Sequence, residues 1–207
     1  LKKAMEQETF NKKIALAQLH LLETLFGPDI AITRLEYLRI ARPNKRQDNV
    51  GYHRDLDYSN SPYELNFFIP FVDLDEQSGF SVFPGTHRIP ESQIKVVQKK
   101  HPSVARGSIH NRLGMFHSPQ VVENLDVKNI YTPRLKVGQS LVNVPHLVHG
   151  QEVNKGKITR WAMDMEIGNA LAPLNWETTY GEARYVAISE SFFTKEGNRK
   201  QAELNKR

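Results

Sequence analysis

Short segments rich in branched and aromatic residues, each followed by a turn signal, fill much of the chain after residue 30. These segments are AITRLEYLRIA (31–41), YELNFFIPFVD (63–73), GFSVF (79–83), SLVNV (140–144) and ITRWAMDMEI (158–167). Clusters of Gly, Pro, Asp and Asn separate them at 75–79, 84–85, 137–138 and 154–156. Short strands between regular turns are typical of β-sandwiches and barrels. We therefore predict a mainly β fold, a jelly roll or a related barrel.

The strands are preceded by a region with helical character and interrupted by a polar one. Apolar residues recur with helical spacing over 2–26, and Gly27-Pro28 ends that pattern as a C-cap glycine followed by proline does. Residues 98–134 are polar and irregular, which predicts a long loop excursion from a β core at about 31–168. In the C-terminal segment 169–207, a helix is an open interpretation for the last thirty residues, but no pattern fixes its position.

The composition restricts the chemistry and the location of the protein. The 207 residues suit a single domain over 1–207, and the absence of cysteine excludes disulfides, thiolate metal sites and cysteine nucleophiles. Any metal site must therefore use His, Asp or Glu. The sequence contains no run of 18 apolar residues, so no membrane span is predicted. It also contains no zinc-finger or RNP pattern, so nucleic-acid binding is not predicted. We expect a cytoplasmic protein without a membrane partner.

The stretch GYHRDLDYSN (51–60) has two interpretations. It matches the H-R-D-L-x-x-x-N loop of protein kinases, but no glycine-rich loop precedes it and no Asp-Phe-Gly follows, so we reject a kinase. It also contains His53-x-Asp55, two of the three ligands of a 2-His-1-carboxylate iron site. On a strand, residues i and i+2 face the same side, so His53 and Asp55 would face the barrel interior and Arg54 the outside.

The third ligand of such a site must come from a distant strand. SLVNVPHLVHG offers His146 and His149. The turn at 154–156 would pair the strand of His149 with that of Arg160 in an antiparallel hairpin, so we prefer His149. If the co-substrate is 2-oxoglutarate, its distal carboxylate needs a cation, and the planar fork of Arg160 provides one.

Three sequence motifs, in a fixed order along the chain, resemble the motifs of a known family. An aromatic residue precedes the H-x-D in GYHRD, and NFFIPFVDLDEQSGFSVFPGTHR contains Pro84-Gly85-Thr86-His87 just before its last residue. In HGQEVNKGKITRWAMDM, an arginine stands eleven residues after the distal histidine. Together, over roughly 35–168, they resemble the phytanoyl-CoA dioxygenase-like family of iron(II)/2-oxoglutarate oxygenases. The resemblance implies a double-stranded β-helix (jelly roll, cupin-like) with flanking α-helices, which uses Fe(II), 2-oxoglutarate and O2.

The resemblance also implies roles for individual residues. The residues implied to bind iron, and with it to be catalytic, are His53, Asp55 and His149. The residues implied to contact 2-oxoglutarate are Arg160, Gln151 and Asn66. Gln151 stands where the family often has a hydroxyl that contacts the distal carboxylate. Further co-substrate contacts would fall on Tyr37 or Arg39, and the sequence does not separate these two.

The implied activity is hydroxylation of a small molecule, coupled to oxidative decarboxylation of 2-oxoglutarate to succinate and CO2. The presence of Asp55 disfavours halogenation, since halogenating members of the family replace that carboxylate with a small residue. The net charge is +5 and a basic stretch lies at 95–112, which favours an anionic substrate. The alternative is a jelly-roll binding protein that has lost catalysis, and the intact set of candidate ligands argues against it.

Overall fold

The computed structural model describes residues 9–34, 37–49, 51–58, 61–98, 120–125, 127–174, 178–179 and 182–206. The chain forms two compact units, one of Leu1–Glu36 with Met165–Arg207 and one of Tyr37–Asp164. The boundary between them falls inside a ten-residue strand, Arg160–Asn169. Among the helices of the described residues, none combines the length and the apolar character that a membrane crossing requires.

Strands dominate the regular structure, as predicted. The α-helices of the described residues are α1 (Phe10–Ala17), α2 (Leu19–Phe26) and α3 (Phe192–Leu204). The strands are β1 (Ile30–Thr33), β2 (Tyr37–Ala41), β3 (Glu64–Pro70), β4 (Phe80–Val82), β5 (Val96–Gln98), β6 (Gln120–Val122), β7 (Leu141–Asn143), β8 (His149–Gln151), β9 (Arg160–Asn169), β10 (Thr178–Thr179), β11 (Glu182–Ala183) and β12 (Tyr185–Ser189).

In the first unit, β1 pairs antiparallel with both β12 and the second half of β9. The helix predicted over 2–26 is interrupted, because Gln18 leaves the helical region with φ −116° and its N–H bonds to the Ala15 carbonyl at 3.0 Å. That three-residue spacing tightens the last turn of α1 and ends it. Residues 1–8 lie outside the described part. As predicted, α2 ends at Gly27, whose φ of 78° favours glycine.

The second unit is built from antiparallel pairs. β2 pairs with the first half of β9, β3 with β7, β4 with β8, and β5 with β6. Every residue of β3 except Leu65 is buried, as expected for a strand covered on both faces. Phe68 of β3 packs in an apolar cluster with Phe80, Val82 and Ala162.

Two predicted segments differ from the structure. The single strand expected over 31–41 is divided into β1 and β2, because the two pair with β9 in different registers: Ile32 lies opposite Ile167, and Tyr37 lies opposite Asp164. The excursion expected over 98–134 begins and returns through the β5–β6 pair, and residues 99–119 lie outside the described part. Near its end, Tyr131 bridges to Val82, which ties this segment to β4.

Candidate metal centre and neighbouring arginine

Three side chains with metal-binding atoms meet in the second unit. They are His53, Asp55 and His149, and one ligand atom from each lies within 4.8 Å of the others. Nε2 of His149 is 3.3 Å from Oδ2 of Asp55, and Nε2 of His53 is 3.5 Å from Oδ1. Two imidazoles and a carboxylate are the donors of the facial triad that binds Fe(II). The structure therefore brings the predicted ligands together, and their metal binding stays a prediction.

The two histidines are held side by side by their backbones. The His53 N–H donates to the carbonyl of His149 at 2.9 Å, and the His149 N–H donates back at 3.0 Å. Such mutual bonds are the hydrogen-bonded pair of an antiparallel ladder. A Cβ on Gly150 would lie 2.8 Å from both the Gly51 carbonyl oxygen and the Cα of Tyr52. The missing side chain at position 150 is thus what lets the two segments approach.

In each histidine, a hydrogen bond to a backbone carbonyl leaves Nε2 as the ring nitrogen available to a metal. Nδ1 of His53 donates to the Gly51 carbonyl at 2.7 Å, and Nδ1 of His149 to the Leu147 carbonyl at 3.0 Å. A carbonyl only accepts, so in the neutral rings Nε2 keeps its lone pair, as metal-ligating histidines require. Burial lowers the pKa of His149 despite the opposing charge of Asp55, which favours this neutral form.

Asp55 reaches the cluster from a turn and not from a strand. It begins a 3₁₀ helix, Asp55–Tyr58, so the predicted i, i+2 strand geometry with His53 is wrong. The physical reason is that the N–H of Leu56 donates to the carbonyl of Pro145 at 3.3 Å, which turns the chain here. Arg54, expected outside, is 3% exposed, and an ion pair offsets its burial: Nη2 of Arg54 lies 3.7 Å from Oε1 of Glu91.

The carboxylate of Asp55 is charged and anchored. Burial acts to raise its pKa, but His149, His53 and Arg39 outweigh burial and hold the pKa at about 2. Nδ2 of Asn66, on β3, donates a hydrogen bond to Oδ2 of Asp55. Asn66 therefore lies beside the candidate centre and contacts Asp55, and its contact with 2-oxoglutarate stays a prediction.

Arg160 is a buried cation with unused hydrogen-bonding capacity. It is 1% exposed, and its Nη1 donates to the carbonyl of Ser78 at 3.2 Å. Its Nε and Nη2 have no hydrogen-bond partner among the described residues. Burial lowers the pKa of Arg160 to about 10, so the guanidinium stays protonated at neutral pH. A buried charge with free N–H groups is costly unless an anion pairs with it, and a carboxylate matches the fork.

Phe80 bridges the arginine and the candidate metal ligands. Its ring centroid is 6.2 Å from that of His149 and 5.9 Å from the guanidinium carbon of Arg160. Phe68 stacks on Phe80 with 4.0 Å between centroids and lies equally close to the guanidinium carbon, at 5.9 Å. The two rings form an apolar wall that connects a cation to a cluster of metal-binding atoms.

His149 and Arg160 do not lie on paired strands, and the predicted hairpin is wrong. β8 pairs with β4, whereas the Arg160 end of β9 pairs with β2. The turn at 154–156 is diverted because the Asn154 amide donates to the carbonyls of Ala41 at 2.8 Å and Ile158 at 2.9 Å. The two side chains are linked through Phe80 instead of through a shared ladder.

The remaining candidates have distinct surroundings. Gln151 follows His149 by two positions on β8, is 8% exposed, and its Oε1 has no partner among the described residues. Arg39 forms an ion pair with Asp164 across β2 and β9. The side chain of Tyr37 lies outside the described part. His146 lies in the turn before β8 and is not a member of the metal-binding cluster found in the described residues.

Sequence reasoning missed Gly150 and Phe80. A glycine inside a strand, directly after a candidate ligand, indicates a close backbone approach and could have identified Gly150. Nothing in the local pattern of GFSVF separates Phe80 from an ordinary core residue, since its role depends on which strands become neighbours.

Comparisons with known proteins place the fold. No protein-family model and no curated protein matched the chain. Among solved structures, a non-heme monooxygenase, ThoJ in its apo form, matches with TM-score 0.59 and 16% identity over 84% of this chain and 58% of that chain. EvdO2 from Micromonospora carbonacea var. aurantiaca matches with TM-score 0.59 and 15% identity over 80% and 65% of the two chains.

A third solved structure is the epimerase SnoN in complex with Fe3+, alpha ketoglutarate and nogalamycin RO. It matches with TM-score 0.51 and 16% identity over 81% of this chain and 59% of that chain. At such identities the likeness concerns the fold, and it confirms the predicted mainly β, double-stranded β-helix class. The chain spans 58% of the length of ThoJ and 65% of that of EvdO2.

Proposed function

We propose that this protein is an Fe(II)/2-oxoglutarate-dependent oxygenase of the phytanoyl-CoA dioxygenase-like type that hydroxylates a small molecule. In that reaction a substrate C–H becomes C–OH and 2-oxoglutarate becomes succinate and CO2. One oxygen atom of O2 goes to the hydroxylated product and the other to succinate. EvdO2 complexed with 2-oxoglutarate matches with TM-score 0.58, which supports the choice of co-substrate.

The observation that carries the proposal is one buried arginine with unpartnered N–H groups beside one His-Asp-His cluster. Nε and Nη2 of Arg160 have no hydrogen-bond partner among the described residues. The ring centroid of Phe80 lies 5.9 Å from the guanidinium carbon of Arg160 and 6.2 Å from the ring centroid of His149. A dicarboxylate that also chelates a metal would satisfy both ends of this arrangement. A site for an isolated structural metal has no need of the buried guanidinium.

The proposed role of each residue follows from the chemistry of its side chain. His53, Asp55 and His149 would hold Fe(II), which when bound activates O2. Arg160 would bind the distal carboxylate through two parallel N–H bonds, and its burial would keep water from competing for them. Gln151 and Asn66 stay candidates for contact with the co-substrate.

The proposal can be tested by binding and by product formation. Protein mixed anaerobically with Fe(II) and 2-oxoglutarate should show a weak visible charge-transfer band. It should release succinate when O2 and a suitable small molecule are added. His149→Ala should abolish both signals, since it removes a ligand atom. His146→Ala, three residues away and outside the cluster, is the matched control and should keep the band.

Product analysis separates the proposed outcome from its alternatives. A product heavier than the substrate by one oxygen supports hydroxylation, whereas a stereoisomer of equal mass would indicate epimerisation, the activity named for SnoN. Metal and 2-oxoglutarate binding without succinate, across a broad set of anionic and neutral small molecules, would favour a binding protein. A charge-transfer band that survives in both His53→Ala and Asp55→Ala would contradict the proposed centre.

A further inference from the structure

We infer that Asn66 is a positioning residue that restricts Asp55 to binding the metal through one oxygen. The inference rests on the proposed function, because it concerns the same metal centre. Its basis is the hydrogen bond from Nδ2 of Asn66 to Oδ2 of Asp55. Asn66 lies on the buried strand β3 and is 7% exposed, and the side chain of Asp55 is 17% exposed, so neither partner of this bond is freely accessible to water.

The two oxygens of Asp55 have different surroundings. Oδ2 accepts the hydrogen bond from Asn66 and lies 3.3 Å from Nε2 of His149. Oδ1 lies 3.5 Å from Nε2 of His53 and takes no part in the bond to Asn66. The hydrogen bond consumes a lone pair of Oδ2 and fixes the rotation of the carboxylate, which leaves Oδ1 as the better metal ligand.

The difference between one and two bound oxygens decides how many metal positions remain open. A facial triad occupies three of six positions and leaves three, which a chelating co-substrate and O2 fill together. A carboxylate can also bind a metal with both oxygens, as many do at calcium. If Asp55 did so, it would occupy a position that 2-oxoglutarate or O2 needs.

The orientation of the Asn66 amide supports a positioning role over a stabilising one. A carboxylate only accepts hydrogen bonds, so the nitrogen must face Asp55, and Oδ1 of Asn66 is then left buried without a partner in the described residues. An unsatisfied buried carbonyl oxygen costs stability. The asparagine is therefore poorly explained as a core residue and well explained by its contact with the ligand.

The test uses Co2+ as the probe metal, with Asn66→Leu to remove the donor at similar volume. We expect Asn66→Leu to bind Co2+ at least as well as the unaltered protein, with a visible spectrum altered towards higher coordination. Its Co2+-loaded form should bind 2-oxoglutarate about tenfold more weakly, the scale on which residues that orient metal ligands act. Asn66→Gln keeps the amide and should recover part of both signals.

Asn143→Leu is the matched control. Asn143 lies directly opposite Asn66 on β7, is 8% exposed, and its amide donates to the carbonyl of Val144 at 3.4 Å and not to Asp55. Its Co2+ spectrum and 2-oxoglutarate affinity should match those of the unaltered protein. If Asn66→Leu does not fold, Asn66→Ser, which is too short to reach Oδ2, should give the same spectral change.

The outcomes separate this inference from the proposed function. An unchanged Co2+ spectrum and unchanged 2-oxoglutarate affinity in the folded Asn66 variants would overturn the inference alone. Equal changes in Asn143→Leu would also overturn it, because the effect would then be one of packing in the β3–β7 pair. Failure of the unaltered protein to bind Co2+ would overturn the proposed function and this inference with it.

Discussion

At the scale of single residues, Arg160 is unfavourable for the fold, and the proposed function gives it a binding role that would explain its burial. Its guanidinium is 1% exposed, donates one hydrogen bond to Ser78, and has two nitrogens without a partner among the described residues. Burying a charge without a counterion is among the costlier arrangements in a protein interior. The rings of Phe68 and Phe80 offset part of this cost through cation–π contacts at 5.9 Å.

Replacing Arg160 should therefore move stability and binding in opposite directions. Arg160→Met should leave the melting temperature of the ligand-free protein equal or higher, because a flexible apolar side chain replaces an unpaired buried charge. The same variant should lose 2-oxoglutarate affinity by about 3–5 kcal/mol, the usual cost of breaking a buried ion pair. Calorimetric titration of the metal-loaded protein together with thermal unfolding measures both quantities.

Arg160→Lys is the control for charge without geometry. It keeps the cation but cannot form two parallel bonds to a carboxylate, so it should recover only part of the affinity. Equal 2-oxoglutarate affinity in the unaltered, Arg160→Met and Arg160→Lys proteins would mean that the co-substrate is bound elsewhere. The candidate metal ligands would then have no co-substrate site beside them.

At the scale of elements, the site depends on how closely β8 approaches the segment that carries His53. The mutual backbone bonds of His53 and His149 set this approach, and the Tyr52 hydroxyl supports it by donating to Oε1 of Glu152 at 2.6 Å. Burial, together with Glu152, raises the pKa of Tyr52, so this hydroxyl keeps its proton at neutral pH. Gly150 lies between the two segments and has no side chain to separate them.

Gly150→Ala should therefore damage metal binding more than it damages the fold. A Cβ 2.8 Å from the Gly51 carbonyl oxygen and the Tyr52 Cα forces one segment to move, which separates the ligand atoms. We expect Co2+ affinity to fall at least tenfold and the free energy of unfolding to drop by about 1–3 kcal/mol, as in other overpacked sites.

Gly197→Ala provides the contrast for this experiment. A Cβ there would meet nothing within 4 Å, and Gly197 lies in the interior of α3. It should bind Co2+ normally and gain about 0.5–1 kcal/mol of stability from higher helix propensity. Normal Co2+ affinity in Gly150→Ala would show that the close approach of the two segments is not required for the site.

At the scale of the whole molecule, the candidate site belongs to one of the two units. The three candidate ligands, Asn66 and Arg160 all fall within Tyr37–Asp164. The single domain predicted over 1–207 stays a proposal, and a single calorimetric unfolding transition would support it, since β9 contributes residues to both units.

Hydrogen exchange should show which backbone amides become protected when ligands bind. Co2+ and 2-oxoglutarate, each added at a hundred times its dissociation constant, should each stabilise the binding-competent state by about 2.7 kcal/mol. We expect added amide protection in β3, β4, β8 and the Arg160 end of β9, and little in α1, α2 and α3. Protection confined to the helices would contradict the assignment of the site to this unit.

The sequence by itself determined the kinds of residue and their order. Alternation of apolar strands with turns predicted the fold class, and the resemblance of GYHRD, PGTHR and HGQ…R to known oxygenases selected His53, Asp55, His149 and Arg160. Local physics also predicted the end of α2 at Gly27, since a positive φ there needs no information from distant residues.

Only the tertiary structure decided how these residues meet. Asp55 arrives from a 3₁₀ turn, β8 pairs with β4 and not with β9, and Arg54 is buried. Each of these depends on long-range hydrogen bonds, such as those of Asn154 to Ala41 and of Leu56 to Pro145. Such partners are distant along the chain, so no local periodicity encodes them. The same holds for the bond from Asn66 to Asp55, which exists only because β3 passes beside the turn that carries Asp55.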